Sequence, residues 1–343
     1  MSMNINTRLY AIIPHLWMDK KDITALKLFI EELKKSENIF SIDGYFYQST
    51  TPKIEFAYGI NSFDELKKEW KESLPIPYYV LKLDLDFIVF LDKIEITSED
   101  SKEFPITDEL IKEYATTEVA EGAEILLRDI ILASNIATPG VLQCSKIVIF
   151  SDNISPIFRR GSVHPLLDAK DKSLEVEWPI IRSINISFVW EWLENIKKQP
   201  PNNTKKLIRS LSALTHLFGN TTKDENDLGL VWALMGLESI YGDNNVALKQ
   251  QLLSKSEVLL GSREKYKKKF SWMYDYRSRL LHGDITCNPS YDSRWIETQE
   301  TYDVEIYECQ LLATSILVAT IQEMCLNNSY AVDFNYHYKF INA

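Results

Sequence analysis

The chain has 343 residues, with 38 Lys+Arg against 49 Asp+Glu and a formal net charge of −11. Hydrophobic residues at 45% and aromatics at 12% exclude wholesale disorder, and the acidic balance excludes broad electrostatic binding to nucleic acid but not a local basic site. The four cysteines, Cys144, Cys287, Cys309 and Cys325, are too few for a disulfide scaffold, and the lack of any C-x-x-C spacing argues against a thiolate zinc site.

The length suggests about two domains. The longest strongly apolar window, residues 311–321, is shorter than the roughly 20 residues that span a bilayer. Residues 1–8 lack the basic-then-apolar layout of a secretory leader. A soluble, cytoplasmic protein is the expectation.

The first 200 residues read as mixed α/β. Residues 9–13 form a short apolar strand. Residues 22–35 form a helix, with Ile23, Leu26, Phe29, Ile30 and Leu33 on one stripe. Residues 39–47 and 53–58 are rich in β-branched and aromatic side chains, with turn chemistry at Thr51-Pro52. Residues 62–70 suit a short helix in which Ser62 and Glu65 complete a capping box. The clearest strand lies within 78–96, where Val80, Lys82, Asp84 and Asp86 alternate with Leu81, Leu83, Leu85 and Phe87. A long helix over 107–133 closes at Thr138-Pro139-Gly140. Residues 146–150 and 183–189 are further strand candidates.

Residues 197–204, Lys-Lys-Gln-Pro-Pro-Asn-Asn-Thr, read as a linker. The fold class predicted is α+β: a mixed α/β domain over 1–198, then an all-α bundle over 204–343. The bundle's stripes are Leu207, Leu211, Leu214, Phe218 and then Leu230, Leu234, Leu237, Tyr241. Further helices are expected at 247–260 and 263–281. The last, 302–325, is apolar almost all round and reads as the central buried helix.

Chemistry concentrates at residues 274–284, Tyr-Asp-Tyr-Arg-Ser-Arg-Leu-Leu-His-Gly-Asp. Arg277 continues the apolar stripe of Phe270, Tyr274 and Leu281. On a regular helix His282 would lie about 140° away from it. Gly283 favours a helix end, and a helix ending near Leu281 would let His282 converge with Arg277. Arginine grips phosphate oxygens, and histidine moves protons near neutral pH. Residues 263–279 hold Arg263, Lys265, Lys267, Lys268, Lys269, Arg277 and Arg279 against Glu264 and Asp275. That local excess of five positive charges suits a confined polyanion site.

The segment Arg-Ser-Arg-Leu-Leu-His-Gly, with Gly-Leu-Glu-Ser-Ile-Tyr upstream (Gly236 to Tyr241), resembles the HEPN superfamily, specifically its Apea-like branch. The resemblance covers about residues 204–327. It implies a helical bundle that pairs across a two-fold axis, with both protomers contributing Arg and His to one cleft. It implies a metal-independent endoribonuclease of the kind found in toxin and anti-phage systems. Arg277 would hold the scissile phosphate and stabilise the pentacoordinate transition state. His282 would be the general acid/base and the ribose 2′-OH the nucleophile, giving a 2′,3′-cyclic phosphate. Many members carry Asn, Asp or His after the arginine, where this chain has Ser278.

Around this pair Glu238 is a candidate to orient Arg277, and Arg279 to supplement phosphate binding. Tyr274 and Tyr276 are candidates to stack on a base or to pack, and Asp284 to bridge the arginines. The cations from Arg263 to Lys269 are the candidate RNA contacts. No cofactor or metal is expected. A non-catalytic assembly or RNA-binding module is the alternative. The expected partners are RNA, a second copy of the chain and an inhibitory or trigger protein, with residues 1–198 as sensor, regulator or substrate selector. Asp84, Asp86 and Asp92 resemble a D-x-D metal pattern, but strand alternation accounts for them. Glu118, Glu121 and Glu124 suit an exposed helix face, and Arg159-Arg160-Gly161 with His164 a small basic loop.

Overall fold

The computed structural model describes residues 2–14, 18, 20–59, 62–69, 78–94, 107–162, 166–219, 226–243, 248–261, 266–284 and 300–334. The chain divides into two compact units: Met1–Asn135 with Val141–Val163, and Ile136–Gly140 with His164–Ala343. The fold is α+β, an antiparallel sheet followed by a helical region.

In chain order the first unit contains β1 (Ser2–Pro14), α1 (Lys20–Lys35), β2 (Tyr47–Ser49), β3 (Lys53–Tyr58), α2 (Asp64–Glu69), β4 (Tyr78–Phe90), most of α3 (Asp108–Ala137), β5 (Cys144–Ser151) and β6 (Ile157–Ser162). The sheet order is β2-β4-β1-β5-β6, and β3 also pairs with β4. Register sets the two faces. Leu9 opposes Leu83 and Ile149, and Ala11 opposes Leu81 and Ile147, so one face is continuously apolar. On the other face Tyr10, Ile12, Tyr78, Val80 and Val148 bury against Phe63 and Leu66 of the α2 region. Beyond that cover the same face turns polar, where Asn6 donates to Asp84 and Asp86 at 2.9 Å each. The alternation read from residues 80–87 is thus present, but residues 78–81 are buried on both sides.

Several local expectations are corrected. Residues 39–47 form no continuous strand: they begin at the end of a 3-10 turn, Glu37–Ile39, carry a single bridge at Asp43, and join the sheet only where Tyr47–Ser49 begins. Ser62 is no N-cap: its hydroxyl donates to the Tyr58 carbonyl at 3.0 Å, and α2 begins at Asp64. Glu65 does not fold back on a cap but binds Arg8 and the Tyr10 hydroxyl. The Arg159–Gly161 stretch lies in edge strand β6, where Arg159 pairs with Glu124 at 3.0 Å; His164 lies outside the described residues.

The second unit contains the end of α3, then α4 (Leu166–Glu175), α5 (Ile186–Lys197), α6 (Pro201–Gly219), α7 (Asn226–Tyr241), α8 (Leu248–Leu260), α9 (Lys267–His282) and α10 (Glu300–Leu326). Residues 183–189 are no strand. Asn185 caps α5 by accepting from the Ser187 N–H at 2.9 Å. The stripe Ile186, Val189, Trp190, Leu193 and Ile196 then buries at helical spacing, which overrides β-branched propensity. Residues 197–204 are a tight helix junction, not an interdomain linker. Pro201 opens α6, a position where its missing N–H costs nothing. The two units accordingly divide at Val163/His164, before α4, whereas the sequence placed the division at 198–204.

Helix α10 packs against α4, α6, α7, α8 and α9. Residues Val304–Leu326 are long and apolar enough by composition to cross a membrane, but 89% of the apolar 18-residue window within them is buried inside the fold. Three of its buried polar side chains bond to neighbouring elements. Ser315 donates to the Ala169 carbonyl at 2.7 Å, Thr320 bonds the Tyr241 hydroxyl at 2.8 Å, and Gln322 donates to the Ile136 and Arg182 carbonyls. These bonds remove the cost of burying bare polar groups and fix the register of the bundle around one axis.

Candidate functional site

The Gly236–Tyr241 stretch of α7 and the Arg277–Gly283 stretch meet in the helical unit. Each residue of the former has its own contact. A Cβ at Gly236 would lie 2.9 Å from Leu317 Cδ1 and 3.2 Å from Ala213 Cβ, so a larger residue here would make the Leu317 side chain and Ala213 give way. Leu237 and Ile240 are buried. Ser239 donates to the Lys206 and Gly236 carbonyls. Glu238 accepts from Arg277 Nη2 at 3.0 Å.

Arg277 and Glu238 are both largely buried, with side-chain exposures of 22% and 14%. The pair is monodentate, and Arg277 Nε and Glu238 Oε1 are buried with no hydrogen-bond partner among the described residues. Tyr274 stands beside both. Its ring centre is 6.0 Å from the guanidinium. Burial and then the Glu238 carboxylate push its phenol well above the usual tyrosine range, against a smaller opposite effect of Arg277. The expected Glu238–Arg277 approach is present, and Tyr274 belongs to it rather than to a base-stacking surface.

The expected convergence of His282 with Arg277 does not occur within one chain. Helix α9 runs through His282 and is closed by Gly283 in the left-handed region, φ 80°. The Gly283 N–H donates to the Leu280 carbonyl and the Asp284 N–H to the Arg279 carbonyl, the hydrogen-bond pattern of a glycine-terminated helix. His282 therefore keeps helical register, about 140° around the axis from Arg277. It is exposed, as are Arg279 and Asp284. Asp284 contributes its backbone N–H to the cap.

The other named residues separate into three groups. Tyr276 is buried and stacks on Trp272 at 5.2 Å and 12°, so its ring is packing and not a free platform. Ser278 is half-buried. Lys269 is bound to Glu308 of α10, which also lies 3.7 Å from Lys172 of α4, so this cation pins α9 instead of facing outward. Lys269's hydrogen bond, outweighing burial, holds the Glu308 carboxyl below the usual carboxylate range. Lys268 is exposed. Lys267 opens α9. Arg263 and Lys265 lie outside the described residues.

The sequence reading passed over Lys255, a lysine at 4% exposure on α8. It donates to the Tyr241 carbonyl at 2.8 Å, to Gln251 Oε1 at 2.9 Å and to Asp243. Three acceptors match its three N–H donors, which is what makes the burial affordable. Hydrogen bonds from Lys206 and Lys255 hold the Asp243 carboxyl below its ordinary value. Among the described residues no group of three or more His, Cys, Asp or Glu is placed to hold a metal.

Comparison with family models, with curated proteins and with solved structures finds no match to the chain.

Proposed function

We propose that the helical unit is a metal-independent RNA endonuclease. In this reading Arg277 stabilises the pentacoordinate phosphorus and His282 moves the proton between the 2′-OH and the leaving 5′-oxygen. The observation that carries it is the Arg277–Glu238 contact, which brings together in space the two sequence segments that resemble the HEPN pattern. An arginine held by one Nη2 bond is oriented while keeping other N–H groups to donate. Because Arg277 and His282 face opposite sides of α9, the reading requires two protomers, with Arg277 of one copy and His282 of the other at each phosphate. The first unit would then sense a trigger, restrain the nuclease or select the RNA. A setting in toxicity or anti-phage defence rests on the resemblance alone.

The test is cleavage of end-labelled tRNA and single-stranded RNA in EDTA by wild type, Arg277→Ala and His282→Ala. Wild type should leave 2′,3′-cyclic phosphate ends, and each variant alone should be inactive. A refolded mixture of the two variants should recover about a quarter of wild-type activity, because random pairing rebuilds one intact composite site in half of the dimers. Cleavage that survives both substitutions would sink the assignment.

The low exposure of the Arg277–Glu238 pair favours one second reading. In it the pair ties α7 to α9 in a non-catalytic assembly or RNA-binding module. RNA binding with no cleavage by any of the three proteins would select it.

A further inference from the structure

The Arg277–Glu238 contact is an incomplete fork. Nε and Nη2 lie on one edge of a guanidinium plane and match the two oxygens of a carboxylate. Here only Nη2 is used, at 3.0 Å from Glu238 Oε2. Nε and Oε1 are the donor and the acceptor of the missing second bond. Both are buried and without a hydrogen-bond partner among the described residues. A buried polar atom left unmet costs free energy, and closing the fork would satisfy both at once. A third group must hold the carboxylate out of it.

Tyr274 is the group placed to do so. It precedes Arg277 by three residues on α9, so the two share a face of the helix. Its ring centre is 6.0 Å from the guanidinium. Its hydroxyl engages the Glu238 carboxylate. Burial first, and then that carboxylate by hydrogen bonding and by charge, raise the phenol. Tyr274 therefore keeps its proton near neutral pH and serves as a donor, not as a base. Among the described residues Arg277 and Tyr274 are the two groups that bond this carboxylate. With Nε buried and Nη2 on Glu238, Nη1 is the guanidinium nitrogen left to meet a ligand.

We propose that Tyr274 is a positioning residue for Arg277: its hydroxyl holds the Glu238 carboxylate turned out of the two-bond fork, which fixes the guanidinium plane with Nη1 presented to an anion. Closing the fork would turn that plane and neutralise more of its charge. Only the identity of the anion, an RNA phosphate, rests on the nuclease reading.

The test uses the full chain with isotope-labelled arginine and reads the Arg277 Nε–H proton resonance, identified by its loss in Arg277→Met. In wild type it should lie where a guanidinium Nε–H without a carboxylate partner lies. Tyr274→Phe keeps the ring and removes the donor, and should move the resonance downfield as Nε gains Glu238 Oε1. In a Glu238→Gln background the same substitution should leave it in place, because the amide offers Nε no charged acceptor. Tyr274→Phe should melt no lower than wild type, since the closed fork satisfies two buried atoms. It should lower kcat on unmodified RNA by about tenfold and leave KM within about twofold. A wild-type resonance already at the downfield, carboxylate-bound position overturns the proposal without any variant. So does a resonance unmoved by Tyr274→Phe, or wild-type kcat in Tyr274→Phe. A wild type that cleaves no RNA removes the nuclease reading alone, and the resonance then decides whether Tyr274 sets the pair.

Discussion

The Arg277 guanidinium gives up part of its hydration to sit against Glu238, and one 3.0 Å bond is its return. Such a pair is costly to break from one side, because the remaining charge stays half-buried. Arg277→Met, similar in length and uncharged, should destabilise the chain by about 1–3 kcal/mol, read as a shift of the urea midpoint at constant slope. The Arg277→Met/Glu238→Met double variant should lose less than the sum of the single variants, since no charge is left alone. An unchanged midpoint in Arg277→Met would mean that the pair behaves as an exposed one, with Arg277 free for a ligand at no structural cost. If Arg277 stabilises both the fold and a transition state, activity assays of its variants must be read beside their unfolding curves.

Helix α9 is held along its length by different means, and these explain what was legible beforehand. Lys269 and Lys172 converge on Glu308, and Lys249 reaches Asp275 from α8. The helix itself, its Gly283 stop and the central burial of α10 followed from periodicity and cap chemistry, which are local. The partners of its cations did not. A run of lysines reads as a solvated face, and only the approach of α10 and α4 turns Lys269 inward. The same holds for Glu65, whose capping role lost to Arg8 and Tyr10 across the sheet, and for residues 183–189, where a cap and an apolar stripe outweighed strand composition. The Glu308 anchor is testable by pH. Its folded pKa lies below the unfolded value of about 4.3, so its contribution is present above that value and is lost as pH falls through the lower folded one. Glu308→Gln should therefore lower stability at pH 7, by under about 1 kcal/mol for a carboxylate this exposed, and should converge with wild type at low pH. A constant difference between the two proteins across the acid range would remove the ion pair as its cause.

Across the whole molecule, three cysteines report on the two compact units. Cys144 lies on β5 of the first, and Cys309 and Cys325 lie on α10 of the second. All three are buried, and that burial pushes each thiol up to about 12. Thiolate is the reactive form, so at pH 8 these groups combine a vanishing thiolate fraction with closed access. Cys287, the fourth, lies outside the described residues. Native protein should accordingly alkylate at no more than one site, and urea-unfolded protein at four. Pulsed labelling along a urea gradient, read by peptide mass, then resolves which unit opens. Cys309 and Cys325 share one helix in contact with five others, so they should lose protection at a common midpoint. Cys144 reports the sheet independently, and its midpoint gives the stability of that unit. Labelling of Cys309 well before Cys325 would mean that the two ends of α10 open separately. The helical unit would then be two layers in stability rather than one bundle around a common core, and α9, packed on the Cys309 side through Glu308, would belong to the weaker of them.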